Sequence, residues 1–484
     1  MTGIDENNLF INPGQKESGK KRTFHMYQID FKKPLAVHFI GIGGISMSGL
    51  AEILLEEGFH ISGSDAHESE LTDQLASHGA KIMYGQRAEN ITDEVELVVY
   101  TAAVHPDNPE FQEAQRRGIP MMTRADLLGQ IMKNYGQAIA VAGTHGKTTT
   151  TSMITEILLE AKKDPTVTVG GILHAIGGNI RVGKSDLFVA EACEYTNSFL
   201  SFFPTIEVIL NVEADHLDFF KDLDDIRHSF RLFAEKLPEN GLLVISSDIA
   251  NYQELTAGLK CRIVTVGHSA ESDYSADDIT YDEYARPSFT LVERGQKAGR
   301  ITLSVPGEHN VYNALSAIAV AKELGISEEE SAVGLKAFTG TDRRFEKKGE
   351  LCGITIIDDY AHHPQEISAT LSAAKNYPHK KLWCVFQPHT YTRTKAFLDE
   401  FAEALSGADE VILAKIYPAR ETDTLGISSQ DIADRLEKMG KKVHYFETFD
   451  EIETFILENC STGDLLITMG AGDVVKVGEK LLGK

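Results

Sequence analysis

Residues 143–151 read GTHGKTTTT and follow directly on the apolar run AIAVAG at 138–143. Glycine, lysine and threonine in this order end a phosphate loop. Backbone N–H groups and Lys147 would cradle the β- and γ-phosphates of a nucleotide, and the Thr148 hydroxyl would ligate Mg²⁺. The usual first glycine, five residues before Gly146, is Val141 here, so the loop is a shortened form. A plain Thr-rich helix cap is the other reading, and the apolar strand ahead of Gly-Lys-Thr argues against it.

A magnesium nucleotide needs hard oxygen ligands at neighbouring strand ends. DLFVAEACEY ends a strand on Glu191, and EVILNVEADHLD ends the next on Glu213, Asp215 and His216. Taken singly, Glu191 could be an ion-pair partner and His216 a satisfied surface residue. Together, after one phosphate loop, they point to a metal-assisted site.

A second set of glycines stands earlier, in HFIGIGGISMSG. Gly41, Gly43 and Gly44 separate a strand from a helix, where glycine permits positive φ and lets the backbone approach a diphosphate. Asp65 ends the following strand, and Ser46 occupies the third glycine position of the dinucleotide pattern. A diphosphate nucleotide is therefore favoured over NAD, with a ligand-free tight turn as the alternative.

The later motifs supply recognition groups. GEHNVYNALSAI sets Gly307 and His309 ahead of Asn310 and Asn313, whose spacing puts both amides on one helix face, suited to a purine edge or to a polar first turn. DRRF offers Arg343 and Arg344 to a γ-phosphate or to a solvated linker. IIDDYAHHP and FQPHTYTRT end strands with Asp358, Asp359, Tyr360, His362 and His363, and with His389 and Arg393. These make a pocket for a small substrate bearing a carboxylate.

The elements that must position these groups fall into three blocks, in keeping with 484 residues at roughly 150 per domain. Apolar runs ending in glycine alternate with helical stretches from Pro34 onward, a pattern that predicts parallel α/β sheets. The expected divisions are a polar tail over 1–34, then 35–135, 136–341 and 342–484, with short antiparallel strands over 271–305. The charge of −25 repels nucleic acid and anionic membranes, so an anionic ligand must be held locally. Five scattered cysteines form no zinc or disulfide framework, and no run of 18 apolar residues occurs. A cytoplasmic protein is expected.

In order and spacing, GIGGISMSGLAEIL, AGTHGKTTTT, EACEY, NVEADHLD, GEHNVYNALSA, DRRF, DDYAHHP, FQPHTYTRT and GAGD resemble the Mur ligases of peptidoglycan synthesis, most closely the alanine-adding branch. The resemblance implies N- and C-terminal Rossmann-like parallel sheets flanking a central P-loop ATPase-like α/β domain. It implies that Gly41, Gly43, Gly44, Ser46 and Asp65 hold UDP. Gly143, Thr144, His145, Gly146, Lys147, Thr148 and Thr149 would bind ATP phosphates, with His309, Asn310 and Asn313 facing adenine. Thr148, Glu191 and His216 would hold Mg²⁺, and Lys147, His216 and Arg344 would be catalytic. His362 and Arg393 would hold the carboxylate of alanine.

The implied reaction is ATP-dependent joining of L-alanine to the lactyl carboxylate of UDP-N-acetylmuramate through an acyl phosphate, by a monomer or homodimer. A ligase attaching a recycled tripeptide shares most motifs. An NAD-dependent oxidoreductase would explain only the 41–49 glycines, and a non-catalytic nucleotide switch would release no phosphate. Two positions depart from the family: 222–235 holds no lysine, so no carbamylated lysine is expected, and Thr390 stands where an arginine is common.

Overall fold

The computed structural model describes residues 28–101, 103–419 and 421–484. Three sheets follow one another along the chain. The first is fully parallel, in the order Lys81–Tyr84, His60–Asp65, Ala36–Ile40, Leu97–Tyr100, Met121–Thr123. This is the topology that places the chain reversal, and hence a ligand crevice, at the carboxyl end of the central strand Ala36–Ile40.

The second sheet has ten strands. Gln137–Ala142 runs parallel between Leu187–Ala192 and Ile206–Ile209, so the phosphate loop and both acid-bearing segments leave the sheet on the same edge. Its far end carries the antiparallel strands Tyr274–Tyr281, Pro287–Glu293 and Gln296–Thr302, as the 271–305 pattern predicts. The third sheet has six strands, and only Glu346–Leu351 pairs antiparallel, against Ile354–Asp359.

Near-continuous apolar strands such as AIAVA and LFVA are covered on both faces, the usual requirement of a parallel sheet. One core runs without a break from the first sheet into the second, joining Val37, Phe39 and Leu50 to Ala140, Phe188, Phe199 and Phe230. The C-terminal sheet has cores of its own on its two faces.

Ile29 and Phe31, expected as part of the tail, join this core: Ile29 is buried, and Phe31 stands edge-on to Tyr135 at 5.8 Å. Asn134 fixes the segment by accepting from the Phe31 N–H and donating to the Ile29 carbonyl, each at 3.1 Å. The expected tail before residue 28 lies outside the described residues. Among the described residues no helix is long and apolar enough to cross a membrane.

Candidate active site

The phosphate loop joins Gln137–Ala142 to the helix Lys147–Glu160. Gly143 (φ 145°) and Gly146 (φ 84°) take backbone angles that side chains disfavour. A Cβ on Gly146 would also lie 2.7 Å from the Asn313 side-chain oxygen, so the loop and the asparagine motif meet. The strand Ile206–Ile209 stops earlier than the apolar run 207–212 suggests, which frees Asn211 to bind the loop. Asn211 accepts from the His145 N–H at 2.7 Å through its side chain and from the Thr144 N–H at 3.2 Å through its carbonyl.

Lys147 folds back over its own loop, donating to the carbonyls of Gly143 and Thr144 and to Glu194 at 3.0 Å. Burial opposes its charge, yet Glu194 outweighs burial and the ammonium is pushed up to about 12. Glu194 is itself buried, and the first reading of the sequence missed it.

Thr148 and Glu191 provide adjacent oxygen donors at the helix start. Burial raises the Glu191 carboxyl, partly offset by hydrogen bonds from the Gly170 N–H and the Thr148 hydroxyl. A half-buried acid whose carboxyl stays raised despite the charges of Lys147 and Arg344, beside a threonine hydroxyl, fits a hard divalent cation. His216 lies 3.9 Å from Glu194 and 3.8 Å from Asp215, against the Tyr195 ring at 4.6 Å. Burial lowers its pKa, leaving a neutral imidazole.

A cavity of about 660 Å³ opens between the second and third sheets, lined among others by His145, Thr148, Asn310, Asn313, Arg344 and Glu366. Asn310 and Asn313 share a helix face as expected. Asn313 donates to the Asn310 side chain at 3.0 Å, and Asn310 donates to the Pro306 carbonyl at 2.7 Å. His309 also lines the cavity, and burial, then Arg344, depresses it to about 4.

The same wall carries an aromatic stack that the sequence reading missed: His268 over Tyr312 at 3.8 Å, with the His268 ring 2.7 Å from Asp248. Tyr312 within NVYNAL was the available signal. His268 and Asp248 had none.

The two adjacent arginines divide their work. Arg343 is structural, donating to Asp358 at 2.9 Å and to the carbonyls of Gly470 and Gly472 at 2.8 and 3.1 Å. That ties the start of the third domain to GAGD, so neither reading of the sequence holds for this residue. Arg344 faces the cavity, 3.9 Å from Glu366.

Glu366 gathers several groups: His145 at 3.1 Å, Arg344, His362 at 3.4 Å, and the His362 N–H at 3.0 Å. Burial opposes its charge, but His362 and His145 hold it well below the usual carboxylate range. His145 is in turn pushed up to about 9, because Glu366 and Glu213 overcome its burial. His145, Glu213 and His363 place ligand-type atoms within 4.8 Å of one another. The cationic His145 stands between Glu213 at 3.3 Å and Glu366 at 3.1 Å.

Arg393 lies 3.3 Å from His389, whose ring is 5.9 Å from that of His362. Arg393 reaches across the domain boundary to Asp215 at 2.8 Å. Thr390 takes φ 65° and caps the helix Tyr391–Ala396 by accepting from the Arg393 N–H. Within 222–235, Arg227 and Arg231 bind backbone carbonyls at 250 and 255.

At the first sheet, the Gly41 and Ile42 N–H groups donate to the Ser64 carbonyl, and the Gly43 N–H donates to Asp65 at 2.8 Å. Asp65 therefore braces the loop. Gly44 and Ser46 are exposed at the start of the helix Ile45–Glu56, leaving its N-terminal N–H groups open. The close-packing glycine absent at Ser46 has a counterpart in Gly49, where a Cβ would overlap Ile180 of the central domain.

Three family descriptions match in succession: the Mur ligase family catalytic domain over 36–136, the Mur ligase middle domain over 141–321, and the Mur ligase glutamate ligase domain over 343–472. The UDP-N-acetylmuramate–L-alanine ligase of Lachnospira eligens is 62% identical over 458 residues, covering 94% of this chain and all of that protein. The enzyme of that name from Caldanaerobacter subterraneus is 55% identical over 94% of this chain and 99% of its own. Among solved structures, the UDP-N-acetylmuramate-alanine ligase of Thermotoga maritima superposes with a TM-score of 0.76 at 32% identity, covering 93% and 98% of the two chains. A murein peptide ligase from Psychrobacter arcticus gives 0.67 at 25% identity over the same shares. Three contiguous domains, a phosphate loop facing a C-terminal cleft and full-length relatives agree: the chain belongs to the Mur ligase family and is an ATP-dependent, amide-bond-forming ligase.

Proposed function

We propose that this enzyme joins L-alanine to the lactyl carboxylate of UDP-N-acetylmuramate while ATP goes to ADP and phosphate. The observation that carries the reading is the shared cavity, lined by His145, Gly146 and Thr148 of the phosphate loop and by Arg344 and Glu366 of the C-terminal domain, with Glu366 in turn 3.4 Å from His362. Relatives at 55–62% identity bearing that activity in their names support it.

A carboxylate does not acylate an amine at neutral pH, so it must first be phosphorylated. The lactyl carboxylate attacks the γ-phosphorus and ADP leaves. The ammonium gives up a proton to solvent, the free amine attacks the acyl carbon to form the C–N bond, phosphate leaves with the acyl C–O bond broken, and the second nitrogen proton is lost to solvent. Lys147 and Arg344 spread the charge of the transferring group, work that is chiefly positioning and electrostatics. Thr148 and Glu191, with His216 near by, would hold Mg²⁺, which screens the phosphate oxygens when bound. Asn310, Asn313 and the His268–Tyr312 stack receive the base, Gly41, Gly43, Gly44 and Ser46 receive the UDP diphosphate, and Asp65 holds that loop in shape. Closure over the cavity keeps water from the acyl phosphate. The reaction belongs in the cytoplasm, where both nucleotides are made, with the enzyme as monomer or homodimer.

Phosphate release from Mg-ATP and UDP-N-acetylmuramate, assayed with L-alanine, glycine, L-serine and L-Ala-γ-D-Glu-meso-diaminopimelate, tests this. L-alanine should give the highest kcat/KM. Dependence on the tripeptide would overturn the assignment in favour of a recycling ligase.

A further inference from the structure

Arg393 and Asp215 form a buried ion pair between two domains, with side-chain exposures of 10% and 7%. The Arg393 Nε and Nη2 donate to Asp215 Oδ1 at 3.2 and 2.8 Å, and Nη1 lies 3.3 Å from His389 Nδ1. Asp215 occupies the Nε–Nη2 edge of the guanidinium fork and also accepts from the His216 N–H at 2.7 Å. A substrate carboxylate that takes this two-pronged edge of Arg393 displaces Asp215, and doing so leaves a buried carboxylate without its cation. That is a costly state unless a new cation arrives with the anion. A free amino acid brings both, its carboxylate and its ammonium on one carbon.

We propose that Asp215 is the ammonium-recognising residue of the amino-acid site: the Asp215–Arg393 pair opens to admit a zwitterion, whose carboxylate takes Arg393 and whose ammonium takes Asp215. One buried pair is exchanged for two, with no net change in charge. The inference rests on the substrate reading above and adds to it a selection rule. An acid without an amine would strand Asp215, and an amine without an acid would strand Arg393, so each half-ligand is rejected by the group it leaves unpaired. Because the pair spans the domain boundary, the exchange also places the incoming amino acid where the two domains meet.

The test is the isosteric variant Asp215→Asn, read with two ligands against the wild type. The KM for L-alanine should rise at least tenfold, because the ammonium loses its partner. The Ki of propionate, as a competitor of alanine, should fall at least threefold, because Arg393 is no longer held by a charge. Opposed shifts are the signature. If both ligands weaken together, Asp215 only orients Arg393; if both tighten together, it is only a plug. Either result overturns the proposal. Should the variant turn over too slowly, equilibrium dialysis of radiolabelled L-alanine and propionate onto enzyme saturated with UDP-N-acetylmuramate and a non-hydrolysable ATP analogue reads the same two constants. Wild-type enzyme that uses the tripeptide and not L-alanine sinks the substrate reading along with this one. Use of L-alanine with parallel shifts sinks the zwitterion exchange alone.

Discussion

The Lys147 ammonium stands 3.0 Å from the Glu194 carboxylate, with both side chains largely withdrawn from water. The cation meant for phosphate oxygens is thus matched to an acid from the neighbouring strand end. Removing one member of such a pair is costlier than removing both, because it leaves a lone buried charge. Lys147→Met should lower stability by about 3 kcal/mol, whereas Lys147→Met with Glu194→Gln should recover most of that loss. Thermal melts of the single and double variants check this. Neither variant should release phosphate at a measurable rate.

Arg343 and Arg344 should separate cleanly in stability and rate. Arg343→Lys loses the fork that binds Asp358 and two carbonyls, so its melting temperature should fall. Arg344→Lys keeps the fold and should melt like the parent, while kcat drops roughly a hundredfold through weaker charge stabilisation. Equal melting losses in both would contradict the assignment.

The pH dependence of stability should have two limbs. His145 is held at about 9 against an ordinary 6.5, so its contribution is complete below pH 6.5 and is lost as pH rises through 9. About 2.5 units correspond to ~3 kcal/mol. Burial depresses His309, His362 and His389 to about 4, so the unfolded chain takes up protons below 6.5 that the fold refuses, and stability declines as pH falls from 6.5 toward 4. Melting temperature should therefore peak near pH 6.5. In His145→Gln the alkaline limb should flatten, and melts between pH 6 and 10 would show whether it does.

Gly49 lets the helix Ile45–Glu56 lie against Ile180 of the central domain, where a Cβ would come within 1.5 Å of the Ile180 Cδ1. Gly49→Ala forces the Ile180 side chain into another rotamer or moves the strand Gly178–Arg181 away from the helix, and that helix starts at the loop proposed for the diphosphate. The KM for UDP-N-acetylmuramate should rise severalfold, with the KM for ATP nearly unchanged. Initial rates with each nucleotide varied in turn would show it.

What the sequence made legible was local. Apolar runs stopping at glycine located Ala36–Ile40 and Gln137–Ala142, and the spacing of Asn310 and Asn313 foretold their shared helix face. What stayed hidden was pairing across the chain. Glu194 meets Lys147 over 47 residues, Asp215 meets Arg393 over 178, and Glu366 meets His145 over 221. No periodicity encodes such contacts: strand order within the second sheet sets the first, and the docking of the second sheet against the third sets the other two. Ile29 was missed for a related reason: a short apolar stretch in a polar tail gives no sign of the aromatic surface it covers.

The links between the central and C-terminal domains at residues 145 and 366, 215 and 393, and 214 and 363 border the proposed chemistry. A synthetic compound bridging that seam would immobilise both halves at once instead of merely competing for one subsite. Escape by substitution would then tend to damage turnover as well, if Arg393 and Asp215 receive the amino acid as proposed.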